Sequence, residues 1–179
     1  MTGGDAWQRE LSNISRNRGR GEFAVFRPAR DDELDWAEKK LSKERHLLSR
    51  PRQDIAAAIT CKQFYILEDL NGRIVGCGAV WPVRPGAVKS EPGVPGIELG
   101  AVWLDELLRG YGLERILGQI GIAEAVAANP RVEIYSGAVF TNPKSERNVR
   151  WLGFINTAGA QRIWWPHLCK KCSFQKAAR

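Results

Sequence analysis

The chain has 179 residues, 44% of them hydrophobic, with 27 Lys and Arg against 20 Asp and Glu and a formal net charge of +7 at pH 7. That length suffices for one complete hydrophobic core and is short for two, so a single domain is expected. No apolar run approaches the roughly 20 residues of a membrane-spanning helix, and the opening "MTGGDAWQRELSNISRNRGRG" lacks the apolar centre of a signal peptide, which argues against membranes and for a cytoplasmic protein.

In that compartment Cys61, Cys77, Cys169 and Cys172 are expected as reduced thiols. The positive excess sits at the ends: residues 1–20 carry a net +2, residues 161–179 a net +5, and residues 21–160 are balanced. Basic tails can engage nucleic acid or an acidic surface. Solvated ends are the plainer reading, and nucleic acid is not favoured.

Residues 1–20 are polar, Gly-rich and without period, which predicts a disordered tail ahead of a domain over 21–166 and a basic tail over 167–179. "EFAVFRPA" alternates as a strand does. Asp31 or Asp32 then caps a helix carrying Leu34, Ala37, Leu41 and Leu48 at helical spacing, stopped by Pro51. A second helix is expected over 54–60.

"KQFYILED" and "RIVGCGAVWPV" flank Asn71-Gly72, a strong hairpin signal. A Pro- and Gly-rich stretch over 84–96 reads as a loop, and 97–104 as a strand. The helix that follows, from about Gly112 to Ala128, shows Leu113, Ile116, Leu117, Ile120 and Ala127 on one face. Asn129-Pro130 ends it. A strand in "RVEIYSGAVF", a short helix in "PKSERNVRWL" and a last strand or hairpin in "GFINTAGAQRIWW" complete the order. The fold class is therefore α+β: a mixed, mostly antiparallel twisted sheet of six to seven strands with helices on both faces.

The strand-to-helix join reads "ELLRGYGLER", residues 106–115. Unpaired N–H groups and the dipole make a helix start attractive to anions, and glycine lets a phosphate approach the backbone closely. The spacing fits neither a dinucleotide fingerprint, which needs glycine at position 115, nor a Walker loop.

It resembles the acyl-CoA pyrophosphate loop of the GNAT superfamily of N-acyltransferases, Gln/Arg-x-x-Gly-x-Gly/Ala, through Arg109, Gly110 and Gly112. Two further matches lie at fixed distances. Glu98-Leu99-Gly100-Ala101-Val102-Trp103-Leu104 fits the family's preceding strand, and Asn142, Ser145, Gly153 and Phe154 fit its last helix and the Gly-Phe beyond it. The resemblance covers about residues 22–165.

It implies an N-acetyltransferase that passes an acetyl or other acyl group directly from acetyl-CoA, a co-substrate, to a primary amine. Backbone N–H groups of Arg109, Gly110, Tyr111, Gly112, Leu113 and Glu114 would hold the pyrophosphate. Main-chain groups of Val102, Trp103 and Leu104 would pair with the pantetheine arm, braced by Asn142 and the Ser145 position. Glu98 would be the general base, its pKa raised if it points into the cleft. A homodimer is compatible with this family.

Two positions depart from the pattern. Glu114 stands where the family has Gly or Ala and opposes a pyrophosphate unless it turns outward. Val149 replaces the tyrosine that protonates the departing thiolate in many members, leaving Tyr111 and Ser145 as substitutes. These departures keep open an alternative, a catalytically silent GNAT-like binding module, with a nucleic-acid accessory role through the tails as its furthest form.

"PHLCKKC", with His167, Cys169 and Cys172, offers three zinc-type ligands where a structural site needs four, so no metal is expected. His46 reads as a polar residue on the first helix. Trp164 and Trp165, with Trp81 and Trp151, read as an aromatic cluster in the core or at a dimer seam.

Overall fold

The computed structural model describes residues 23–45, 47, 49–82, 96–128, 133–137, 143–156 and 163–166. In chain order these form β1 (Phe23–Pro28), a 3-10 turn (Asp31–Glu33), α1 (Leu34–Lys43), α2 (Arg52–Thr60), β2 (Phe64–Asp69), β3 (Ile74–Pro82), β4 (Gly96–Leu104), a second 3-10 turn (Glu106–Leu108), α3 (Leu113–Ala128), β5 (Glu133–Gly137), α4 (Pro143–Trp151), β6 (Phe154–Asn156) and β7 (Ile163–Pro166). The sheet order is β1-β2-β3-β4-β5-β7-β6. Strands β1 to β5 make its body, and the β4–β5 pair alone is parallel among the paired strands.

Alternation along β2 and β3 puts two apolar faces to work. Phe64, Ile66, Cys77, Ala79 and Trp81 pack with Ala37 and Leu41 of α1 and Ile55, Ala58 and Ile59 of α2. Tyr65, Leu67 and Val80 turn the other way, towards α3, and Val75 joins them because the β2–β3 register shifts there, with Leu67 opposite Gly76 and Glu68 opposite Ile74. Helices therefore cover both faces. The α3 helix lies close to β4: a Cβ on Gly121 would sit 2.5 Å from Leu99 Cδ1.

Asn71-Gly72 does join an antiparallel pair, with Gly72 at φ +76° and Asp69 Oδ1 accepting from the N–H groups of Asn71 and Arg73. Three local expectations fail. Asp31 and Asp32 do not cap α1 and stay exposed. Glu33 is buried instead and its carboxylate accepts from the Arg30 N–H at 2.7 Å, because the chain first winds a 3-10 turn that carries Glu33 to the helix start. The first helix ends at Lys43, and Leu48 lies outside the described residues. Ala127 is exposed; the buried stripe of α3 steps by four through Leu113, Leu117, Gly121 and Ala125.

The irregularity that matters most is in β4. Cys77 pairs with Trp103 and Ala79 with Gly100, so one residue of β3, Gly78, opposes two of β4, Ala101 and Val102. Such a bulge needs an extra residue turned out of the pleat, and Ala101, at φ +54°, supplies it. Leu99 and Leu104 consequently both face α3, while Ala101 and Trp103 pack on the α1/α2 side. The β4–β5 ladder stops just before the bulge, at Leu99↔Ser136. Among the described residues, no strand pairs with the β5-facing edge of 100–104.

Candidate active site

The Arg-Gly-x-Gly join emerges directly from that edge. Asp105 Oδ1 accepts from Leu107 N–H at 3.1 Å and sets the 3-10 turn that ends at Arg109. Gly110 and Gly112 then take φ +86° and +79°. A Cβ at either would meet nothing within 4 Å, so the demand for glycine is conformational, and the space in front of the loop is open. The Gly112 carbonyl accepts from the N–H of Arg115 at 3.1 Å and of Ile116 at 3.4 Å, which begins the α3 ladder. The N–H groups of Gly112, Leu113 and Glu114 precede that ladder at the positive end of a 16-residue helix.

Arg109 is at this site but not extended from it. Its Nε donates to the Leu104 carbonyl at 3.0 Å, and Nη1 lies 3.7 Å from Glu106 Oε1. The arginine thus ties the end of β4 to the loop while half of its side chain stays exposed.

Glu114 departs from the expectation that its charge confronts the loop. Its Oε1 accepts from Asn148 Nδ2 at 3.1 Å, and Asn148 Oδ1 accepts from Arg115 Nε at 3.2 Å. The carboxylate is turned onto α4 and braces it against the start of α3. Its Oε2 is buried without a partner. Arg115 continues the contact, with its guanidinium 4.9 Å from the Trp151 ring centroid.

Glu98 lies opposite Trp81 of β3, on the α1/α2 side of the sheet. Its Oε2 is 2.6 Å from Arg50 Nη2, an ion pair whose side chains are only 22% and 8% exposed. Arg50 also sits 5.2 Å from the Trp81 ring centroid. Trp81 Nε1 is buried and unpartnered. It and Glu98 Oε1 both lie within 3.4 Å of the point where a Cβ on Gly100 would be. Arg50, just ahead of Pro51, carries no motif or period, so sequence reasoning had no signal for it.

Beyond the bulge, Trp103 completes this side. Its ring takes Lys40 Nζ at 3.5 Å from the centroid and an edge contact with Trp36 at 6.1 Å, and its Nε1 is also buried without a partner. Val102 and Leu104 pack towards α3, so the three residues expected along the pantetheine arm share a backbone edge and split their side chains.

Asn142 lies outside the described residues, as do His46, His167, Cys169 and Cys172. Ser145 is half-buried in the first turn of α4, Tyr111 packs beside Leu108 and Leu113, and Val149 is buried in the core. Among the described residues, no group of three His, Cys, Asp or Glu is placed to hold a metal ion, and no helix is long and apolar enough to cross a membrane.

Burial pushes the Cys77 thiol up to about 12, which leaves it inert as a nucleophile. Trp81 and Trp151 do not cluster: Trp81 is in the core beneath α1 and α2, whereas Trp151 is exposed on α4, and the side chains of Trp164 and Trp165 lie outside the described residues. Their separation follows from β3 and α4 lying on different parts of the sheet.

This arrangement is the fold of the GNAT acetyltransferases. No family model matches the sequence, and no curated protein matches it. Solved structures do. Rv2747 from Mycobacterium tuberculosis, in complex with CoA and NLQ, is 20% identical, with 76% of this chain and 74% of that one covered at a TM-score of 0.52. Arabidopsis thaliana Naa50, in complex with the bisubstrate analogue CoA-Ac-MVNAL, is 17% identical, with 79% and 94% covered at 0.58. A GNAT-family acetyltransferase from Listeria monocytogenes is 10% identical, with 80% and 92% covered at 0.59.

Proposed function

We propose that the chain is an acyl-CoA-dependent N-acyltransferase that moves an acetyl group to a primary amine. The observation that carries this reading is the pair of left-handed glycines, Gly110 and Gly112, opening a helix directly beyond a bulged strand edge that is unpaired among the described residues. Such a start presents N–H groups and positive potential to a pyrophosphate. The adjoining edge of Val102, Trp103 and Leu104 can hydrogen-bond an extended pantetheine as a sheet accepts another strand. Asn142 and Ser145 are assigned to its far side. The CoA-bearing neighbours of the same fold support the assignment.

In the reaction, the amine nitrogen attacks the thioester carbonyl carbon as the carbon–sulfur bond breaks. An acceptor arriving as an ammonium must lose one proton before attack and a second after it. Glu98 is assigned to receive a proton, directly or through water, on Oε1, which faces Gly100 while Oε2 meets Arg50. One proton returns to the departing thiolate, so the balance is one acetylamine, one CoA thiol and one released proton. Val149 is buried and aliphatic, and the thiolate's proton comes from Tyr111, Ser145 or water.

Binding of acetyl-CoA is the direct test. At about 100 times its dissociation constant a ligand adds roughly 2.7 kcal/mol of stability, which in a domain of this size raises Tm by about 5–10 °C. No shift in a thermal melt with millimolar acetyl-CoA overturns the assignment.

Glu114 provides a second check. Removing its contact with Asn148 frees the loop-bearing turn from α4, at a cost of about 1 kcal/mol for a single hydrogen bond and hence a several-fold weaker grip. Glu114→Ala is therefore expected to raise the acetyl-CoA dissociation constant, whereas Glu114→Gln, which keeps an acceptor for Asn148, is expected to leave it unchanged or lower it at low salt. Calorimetry on both variants at two ionic strengths decides it, and tighter binding by both would show that the charge outweighs the brace.

A further inference from the structure

Arg50 and Glu98 form an ion pair with unused capacity on both sides. The Arg50 side chain is 8% exposed, and among its donor nitrogens Nη2 meets Glu98. Glu98 uses Oε2 for that contact and leaves Oε1 towards Gly100. The Trp81 indole N–H converges on the same spot, and Trp81 is 2% exposed with that donor unpartnered. One acceptor oxygen and the indole donor therefore meet over a glycine that adds no side chain of its own, with the Arg50 guanidinium on the other oxygen of the same carboxylate. A buried donor left unpaired is costly, so this set is built for a partner that brings acceptor oxygens.

The charge pattern narrows that partner. A simple amine binding Glu98 as its ammonium would draw the carboxylate away from Arg50 and leave a buried guanidinium unmatched, which is strongly unfavourable. A molecule bearing an anion beside its amine avoids that loss, since its carboxylate replaces the share of Glu98 that its ammonium withdraws. A guanidinium suits this exchange, because its forked donors can hold two carboxylates at once. A peptide N-terminus offers a carbonyl at that place, which satisfies the indole N–H but not the cation.

Building on the acyltransferase reading above, we propose that the acceptor is a free α-amino acid, with its amino group on Glu98 Oε1 and its carboxylate on the Arg50 guanidinium and the Trp81 indole N–H. Acetylation removes the ammonium charge. The product keeps the carboxylate but loses its pairing with Glu98, which favours release.

The full chain with acetyl-CoA is assayed by thiol release against each of the twenty common amino acids, their α-amides, and the amines that lack the carboxylate. At least one free amino acid is expected to exceed its own amide and its decarboxylated amine in kcat/KM by about tenfold or more, the discrimination of a site whose buried polar groups are otherwise left unpaired. Arg50→Gln is expected to raise KM for that amino acid by a similar factor and to collapse its advantage over the amide, with acetyl-CoA affinity unchanged. If Arg50→Gln does not fold, Arg50→Lys, which keeps the charge without the fork, is expected to move both values in the same direction by less. Equal or better rates with amides, short peptides or plain amines overturn the proposal, as does acetyl-CoA binding without turnover of any amino acid. Absence of acetyl-CoA binding instead removes the acyltransferase reading itself.

Discussion

Glu98→Gln is expected to lower turnover by about two to four orders of magnitude, the usual loss for a general base, while acetyl-CoA still binds as in the wild type. The substitution keeps the size of the side chain and an oxygen for Arg50, so the niche formed by Glu98, Arg50 and Trp81 should stay folded. What it removes is the ability to take a proton from the amine. Saturating acetyl-CoA and any acceptor amine that supports thiol release suffice for the measurement, with calorimetry of acetyl-CoA as the control. A rate near wild type across the pH range would take Glu98 out of the chemistry and reduce its pair with Arg50 to a structural bond. A parallel loss of acetyl-CoA affinity would instead mean that Glu98 shapes β4 and the thioester site.

The parts of this site legible in the sequence were those fixed by a local conformational demand. Gly110 and Gly112 stand where the chain must take positive φ, and a glycine marks such positions. The helix after them and the hairpin at Asn71-Gly72 were readable for the same kind of reason. The β4 bulge was not, because the residue at φ +54° is Ala101, whose side chain gives no sign of it. The neighbouring glycine, Gly100, points to the wrong position.

Pairings between distant segments were equally silent. Glu98 matched a motif, but its partner Arg50 lies 48 residues away in a connection without period. Glu114 is two residues from Gly112 along the chain, but its side chain turns to Asn148 on another helix. Charge effects inferred from sequence spacing hold only while the side chain has nowhere else to turn.

The largest expected effect on stability is at Arg27, which ties the turn ahead of α1 to β1 and β2. Its Nη1 and Nη2 meet Glu33 Oε2 and Oε1 at 2.8 and 2.6 Å, and Nη2 also binds Glu68, with all three side chains at most 17% exposed. Arg27→Met would leave two buried carboxylates with only the exposed Arg30 guanidinium, 3.0 Å from Glu33 Oε1 and 4.0 Å from Glu68 Oε1, in place of their buried partner. Breaking such a pair from one side costs about 3–5 kcal/mol, and at roughly 2–4 °C per kcal/mol for this size the loss in Tm is on the order of 10 °C.

The effect should depend on pH with a defined sign. The hydrogen bonds from Arg27, ahead of burial in size and aided by the Arg30 N–H, hold the Glu33 carboxyl below its ordinary value of 4.5. A group depressed on folding stabilises above its unfolded pKa and loses that contribution as pH falls through its folded value. The wild-type contribution is therefore intact from neutrality down to about 4.5 and is lost below that. In Arg27→Met, protonation removes charge that the exposed Arg30 alone offsets, so acid relieves the defect. Thermal melts of both proteins at pH 7 and pH 4 should show the gap in Tm narrowing on acidification. A gap that is small at pH 7, or that widens at pH 4, would mean that water reaches these carboxylates and that Arg27 holds α1 by packing rather than by charge.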